Sequence, residues 1–486
     1  MRHCTGCSDN REKRGIRHTE ETSPSVGAPE TTPCTPVAGQ GHPSEPQRRW
    51  LILAHCFNMD GRAASQTITD RIPFFLKHGI EPVVLSAPTG NRDSRFPHHQ
   101  VFSASPSCFL FEVRQIINKK TPSHMWRHFL KTTLTFILLP FYVLEKIFVH
   151  LDSHWSWAIS ATYSGRRLIK KYVPELIYSS GGASSAHLAG FFLHSISGLP
   201  WLAELHDPLC YTYQPLRGQK VRFHSWLEKI IARHANAVVF FTEQARNHAC
   251  GRQPTLALKA TVLRPGANPP NFSKGDYRKA DQIHIGHFGS LAPDRNLKVI
   301  FEAIAELIQA KPEWRKLILL HIYGTSLDPF SASAMTACQL EELVVQHGRL
   351  EYDPYTRKSG RQQILEAMRQ SDILLLLHGG TSTSLEYIPS KLYEYLLVHR
   401  PILGFTPPGS ELAELLEGAG HCTLDPDDHL AVQKAFSQII QQWQNTGLSD
   451  LQPAFSFTVD AAVNQLVQIV EKITPHFMNN PTDTQP

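Results

Sequence analysis

At 486 residues the chain is too long for one compact core, so two or three domains are expected. Apolar residues make up 42% and charged residues 19%, which excludes a chiefly disordered chain. A net charge of +5 over this length is too weak to argue for nucleic acid as a partner, but it suits phosphate-bearing ligands or an anionic membrane surface.

Residues 1–47 are rich in Pro, Thr, Ser, Gly and charge and read as a disordered tail. They contain no apolar run of the kind that opens a secretory signal. Cys4 and Cys7 have a C-x-x-C spacing, but no second Cys/His pair follows at zinc-finger spacing, so the spacing reads as accidental. Nine cysteines without a framework read as reduced thiols in a cytosolic compartment.

Order is expected from "RRWLILAHCFNMDGRAASQTITDRIPFFLKHGIEPVVLSAP". The apolar run 50–54 suits a buried parallel strand, a loop with Gly61 follows, and a helix is predicted over 63–78, ended by Gly79. A second strand over 81–86 completes one βαβ unit. The alternation repeats through "ELIYSSGG…PWLAELHDP" and "HSWLEKIIARHANAVVFFTEQ" to a last strand at "ATVLRPG". A Pro/Gly/Asn-rich hinge separates this from a second series running from "QIHIGHFGSLAPDRN" to "SELAELLEGAGHCTLD". The fold class is therefore α/β, with Rossmann-like domains over 48–270 and 271–455. A helix over 456–476 carries Val459, Ala462, Val463, Leu466, Val467 and Val470 at helical spacing and should pack back on the body. A disordered tail, 477–486, ends the chain.

Between the early units lies "MWRHFLKTTLTFILLPFYVLEKIFVHLDSHWSW". Lys131, Pro140, Glu145 and Lys146 break its apolar run, which makes a poor spanning helix. Its Trp, Phe, Lys and Arg content fits a helix lying in a membrane interface, and a pair of helices packed on the domain fits equally well.

Two Rossmann-like domains create a cleft at the carboxyl ends of their strands, so loops just after strands hold the candidate site residues. In "GHFGSLAPDRN", Gly289 permits close backbone approach to a phosphate and Arg295 supplies charge, with a helix from about 296. In "HIYG", Gly324 either passes close to a base ring or simply turns the chain. In "EYIPSKLYEYLLVHRP", Pro389 ends a loop, Ser390 is a natural N-cap, and a short helix is predicted over 391–398. Its positive N-terminus and Lys391 fit a diphosphate, and Glu394 fits a pair of ribose hydroxyls. Glu386 precedes them, free to face the cleft. The alternative is a plain surface pair between Lys391 and Glu394.

The Glu-x7-Glu from Glu386 to Glu394, together with "FGSL…RN" and "PSKLYEY…RPIL", resembles the retaining, GT-B-type nucleotide-sugar glycosyltransferases of the bacterial branch. The resemblance covers nearly the whole chain expected to be ordered. It implies a donor site of Gly61, Gly289, Ser290, Arg295, Gly324, Ser390, Lys391, Leu392 and Glu394. Glu386 would contact the donor sugar, Glu394 the ribose, and Arg295 with Lys391 the diphosphate. His206 would sit after a first-domain strand facing the sugar, with Asp207 on the acceptor side.

Two departures stand out. Where many relatives carry Gly-Arg, this chain has Gly289-Ser290, which throws the leaving-group charge onto Arg295 and Lys391. Where nearer relatives read Asp-x-Arg-Asp-Pro, this chain has Glu204, His206, Asp207 and Pro208, which points to a different acceptor.

The resemblance implies transfer of a sugar to a hydroxyl acceptor with retention, without a cofactor or metal, in surface polysaccharide or glycolipid synthesis. The expected place is the cytoplasm, with possible contact to the inner membrane surface. Two rivals remain: a nucleotide-sugar epimerase or hydrolase of the same fold, and a non-catalytic nucleotide-sugar binder, to which Ser290 gives some footing.

Overall fold

The computed structural model describes residues 48–474, apart from 60–61, 122, 152–153, 212–217, 271–276, 325, 382 and 453. The expected tails, the Cys4–Cys7 spacing and Gly61 lie outside the described residues. Seven described strands form one parallel sheet: β1 (Arg48–Leu53), β2 (Ile80–Ser86), β3 (His98–Gln100), β4 (Leu176–Gly181), β5 (Trp201–Leu205), β6 (Ala237–Phe240) and β7 (Ala260–Val262). They alternate with α1 (Ala63–Lys77), α2 (Pro106–Lys120), α3 (His124–Phe148), α4 (Trp157–Tyr172), α5 (Ser184–Ser197), α6 (Gln219–His234) and α7 (Glu243–Arg252).

The second sheet holds β8 (Ile283–Gly289), β9 (Ile318–Gly324), β10 (Val344–Gly348), β11 (Ile373–Leu377), β12 (Ile402–Phe405) and β13 (Cys422–Leu424), again all parallel. Its helices are α8 (Lys298–Ala310), α9 (Pro329–Ala337), α10 (Gly360–Gln370), α11 (Lys391–Tyr395), α12 (Glu411–Gly418) and α13 (His429–Thr446), and α14 (Val459–Ile473) follows.

The spatial orders are 3-2-1-4-5-6-7 and 10-9-8-11-12-13. Strand addition therefore changes direction between β1 and β4, and again between β8 and β11. In an open α/β sheet, the crevice beyond the carboxyl ends at such a point receives ligands. The central strands earn their place through covered faces: Leu374, Leu375, Leu376 and Leu377 are all buried, as a strand with helices on both sides requires.

One face of the second sheet packs on Phe301, Ile304, Phe436 and Ile440 of α8 and α13; the other packs on Leu392, Tyr395 and Leu412 of α11 and α12. As its spacing predicts, α14 returns to the first sheet, burying Val463, Leu466 and Val470 beside Trp50 and Phe75. Each such side chain contributes about 1.5–3 kcal/mol on burial, enough to hold the C-terminal helix in place.

Candidate functional site

Two neighbouring strands on one side of the second crevice, β8 and β9, end in unusual backbone. Gly289 ends β8 at φ +133° and Gly324 ends β9 at φ +117°, and the two are paired in register. A Cβ on Gly324 would lie 2.5 Å from the Gly289 carbonyl oxygen, so its glycine serves the approach of the strand ends rather than a base ring. A Cβ on Gly289 would lie 2.9 Å from Lys391 Nζ. Lys391 thus crosses the switch point from α11 and sets its ammonium over the end of β8.

Arg295 stands on the loop after β8, where two backbone hydrogen bonds with Ala292, 3.2 and 3.0 Å, close a tight turn. Among the described residues neither Lys391 nor Arg295 forms an ion pair with a carboxylate. Burial, and then the charge of Arg295, lower the Lys391 ammonium to about 7. His287 and His378 lie buried nearby, their imidazoles lowered first by burial and further by the same two cations, so they are neutral. Arg295 Nε and His287 Nε2 are buried without a hydrogen-bond partner. Two cations, with the Arg295 Nε–H still unpartnered, make a site for an anion.

Glu394 stands beside this pocket, but the surface pair with Lys391 does not form. Its Oε1 accepts from Arg361 Nε at 2.9 Å, and Arg361 Nη1 reaches Asp70 of α1 at 2.8 Å. Arg361 therefore ties the two halves across the cleft, over a cavity of about 70 Å³ lined by Gln66, Asp70, Gly266, Arg361, Lys391 and Glu394. Sequence reasoning missed it. The available signal was the capping box of Ser359 and Gln362, which places Arg361 in the first turn of α10.

Several expectations are corrected. The helix predicted over 391–398 holds only Lys391–Tyr395, because His399 turns at φ +64° before Pro401. Five residues carry a small dipole, and Ser390, which is exposed, makes no side-chain cap. Leu392 offers nothing to a donor: its side chain is fully buried in the core and its amide donates to the Pro389 carbonyl.

Glu386 is not free to face the cleft. Its residue is 1% exposed, its Oε1 lies 3.3 Å from His248 Nδ1 of α7, and its carbonyl accepts from Thr242 at 2.9 Å. The neighbouring Glu411 accepts from the Glu243 amide and from Arg264, so this edge of the cleft is closed by the first half. Ser290 is exposed beside Gly289.

On the opposite wall His206 follows β5 as expected, but its Nε2 is committed to Ser180 Oγ at 2.9 Å and Glu204 Oε1 at 3.0 Å. Its ring stacks on Phe241 at 4.5 Å. Glu204 is itself buried against Arg71 and Tyr178; burial alone would raise its carboxyl, and Arg71 and His206 hold it well below the usual range. His206 is thus the hydrogen-bonded end of a structural network. Asp207 is exposed beside Gly182 at the end of β4.

No protein-family model and no curated protein matches the chain. Solved structures do. Trehalose-6-phosphate synthase from Burkholderia multivorans is 11% identical over 88% of this chain and 99% of its own, with a TM-score of 0.58. Sucrose-phosphate synthase from Thermosynechococcus elongatus is 14% identical over 88% and 99%, with a TM-score of 0.53. A putative UDP-N-acetylglucosamine 2-epimerase from Listeria monocytogenes is 11% identical over 90% and 98%, at 0.50. With its two parallel sheets and the glycosyltransferases among its structural neighbours, the chain has the GT-B fold.

Proposed function

We propose that the chain moves a sugar from a nucleoside-diphosphate sugar to a hydroxyl acceptor, with the anomeric configuration retained. The observation that carries this reading is Lys391 set over Gly289 within reach of the Arg295 charge, with no carboxylate partner to either among the described residues, next to Glu394. In the step, the anomeric C–O bond to the diphosphate breaks and a C–O bond to the acceptor oxygen forms on the same face. The acceptor's proton passes to the departing phosphate oxygen. A diphosphate is already a good leaving group, so what the protein supplies is charge and position.

Lys391 and Arg295 would neutralise the departing charge without a divalent metal. Glu394 would exchange Arg361 for the ribose hydroxyls, and Asp207 would hold the acceptor. The acceptor is a surface polysaccharide or glycolipid, reached at the cytoplasmic face of a membrane.

A thermal-shift screen of nucleoside-diphosphate sugars tests the reading, because a ligand of the native state raises the unfolding temperature. At least one donor should stabilise the protein and fail to stabilise Lys391→Ala; stabilisation of both alike would sink the assignment. An epimerase or hydrolase keeps one observation in its favour, the His248–Glu386 pair across the cleft, which offers an acid and a base. Free sugar or an epimer formed without acceptor would select it.

A further inference from the structure

Helix α3 is built inside out. Its 25 residues run about 37 Å, none of its described side chains is buried, and Pro140 sits within it. Several of its polar groups are turned to the protein: Thr135 accepts from Arg114 of α2 at 2.7 Å, and Arg127 donates to the Thr121 carbonyl. Glu145 accepts from the Ser107 amide and hydroxyl and from Trp155. The apolar groups face outward. Of the 26 large apolar side chains exposed on the described surface, twelve lie on α3, among them Trp126, Phe129, Phe136, Phe141, Ile147 and Phe148, with Phe136 78% exposed. A soluble face of this composition is not left uncovered. No described helix is long and apolar enough to cross a membrane.

The charges around it select the cover. Over residues 106–150 the cations are Arg114, Lys119, Lys120, Arg127, Lys131 and Lys146, and the acids are only Glu112 and Glu145. Both acids are consumed inside: Glu112 is buried, accepting from the Ser103 amide and facing His55. A second copy pairing through α3 would bring like charges together with no exposed carboxylate from this hairpin to answer them. An anionic lipid surface answers both the apolar face and the cations.

We infer that α3 lies along the headgroup–acyl boundary of an anionic bilayer and holds the protein there as a monotopic anchor. Trp126 sits at one end of the helix, where an aromatic ring suits the interface, and the stems of Lys131 and Lys146 let their ammonium groups reach the phosphates. The Glu145 end of α3 is tied to Ser107 at the start of α2, and Ser105 beside it bonds Ser156 just past the carboxyl end of the first sheet. The bilayer thus meets the acceptor side of the cleft, which makes the acceptor itself membrane-borne. That last step rests on the transfer reading; the docking does not.

The test uses the full chain sedimented with vesicles of phosphatidylcholine alone or containing roughly a third phosphatidylglycerol. The protein should pellet with the anionic vesicles and much less with the neutral ones. Phe136→Glu/Phe141→Glu should lower its partition by about tenfold or more, and Lys120→Glu/Lys131→Glu should remove the preference for anionic lipid. Unchanged far-UV circular dichroism and thermal unfolding would show that both variants are folded. Two results would overturn the inference: wild-type protein remaining in the supernatant, or a lipid-free dimer that Phe136→Glu/Phe141→Glu dissociates. Neither donor nor acceptor enters the assay, so its failure leaves the transfer reading intact, and failed transfer leaves the docking intact.

Discussion

The two walls of the cleft arrange their buried charges in opposite ways. On the first wall each charge has an answer. Arg71 meets Glu204 and Tyr178, and His206 meets Glu204 and Ser180. Burial would lower the His55 imidazole, yet its bonds to Cys56 and Glu112 raise it to about 9. On the second wall Lys391 lies against Gly289 within reach of the Arg295 charge, neither cation has an acid paired to it among the described residues, and the Lys391 ammonium falls to about 7. An ion-paired network fixes a backbone, whereas an unanswered pair of cations holds binding energy in reserve for an anion. The contrast separates structure from function more sharply than residue type does, since both walls are rich in the same side chains.

The largest effect should fall on the first wall. Arg71→Leu leaves Glu204 buried without its cation and should cost about 3–5 kcal/mol in urea unfolding. Arg71→Leu/Glu204→Leu should recover much of that loss, and a single variant as stable as wild type would break the comparison. On the second wall Lys391→Ala should lower kcat/KM for transfer by about 10²–10³, while the unfolding temperature stays level or rises. A fall in stability there would mean that Lys391 is a structural group.

Glu394→Ala should weaken donor binding by roughly tenfold, because it removes a charged acceptor of two hydroxyl bonds. The smallest effect belongs to Arg361→Ala, within about 1 kcal/mol of wild-type stability, since its pairs with Asp70 and Glu394 are partly exposed. It should also tighten donor binding slightly by freeing Glu394.

Much of the fold was legible. Parallel strands buried on both faces announce themselves as short apolar runs, which is why β11 and the return of α14 could be read directly. The donor wall was legible in part, because Gly289, Arg295, Lys391 and Glu394 sit on loops and turns close to strands. What failed depended on distant partners or on local geometry. Arg361 meets Asp70 across 291 residues and Arg71 meets Glu204 across 133, and no periodicity encodes either pair. The Ser390 cap failed because Ser390 itself already has helical backbone, φ -57° and ψ -30°. Glu386 looked open because its loop is polar, yet α7 closes over it.

The central claim is that Lys391 is a cation waiting for a diphosphate, and proton linkage tests it directly. An anion favours the charged ammonium, so binding raises a group that stands at about 7 in the free protein. Affinity for a nucleoside diphosphate should be level below that value and fall by up to about tenfold per pH unit above it. Calorimetric titration at about pH 8 in buffers of different ionisation enthalpy should show net proton uptake, abolished in Lys391→Ala. Binding of equal strength in both proteins, with no proton taken up, would contradict the account.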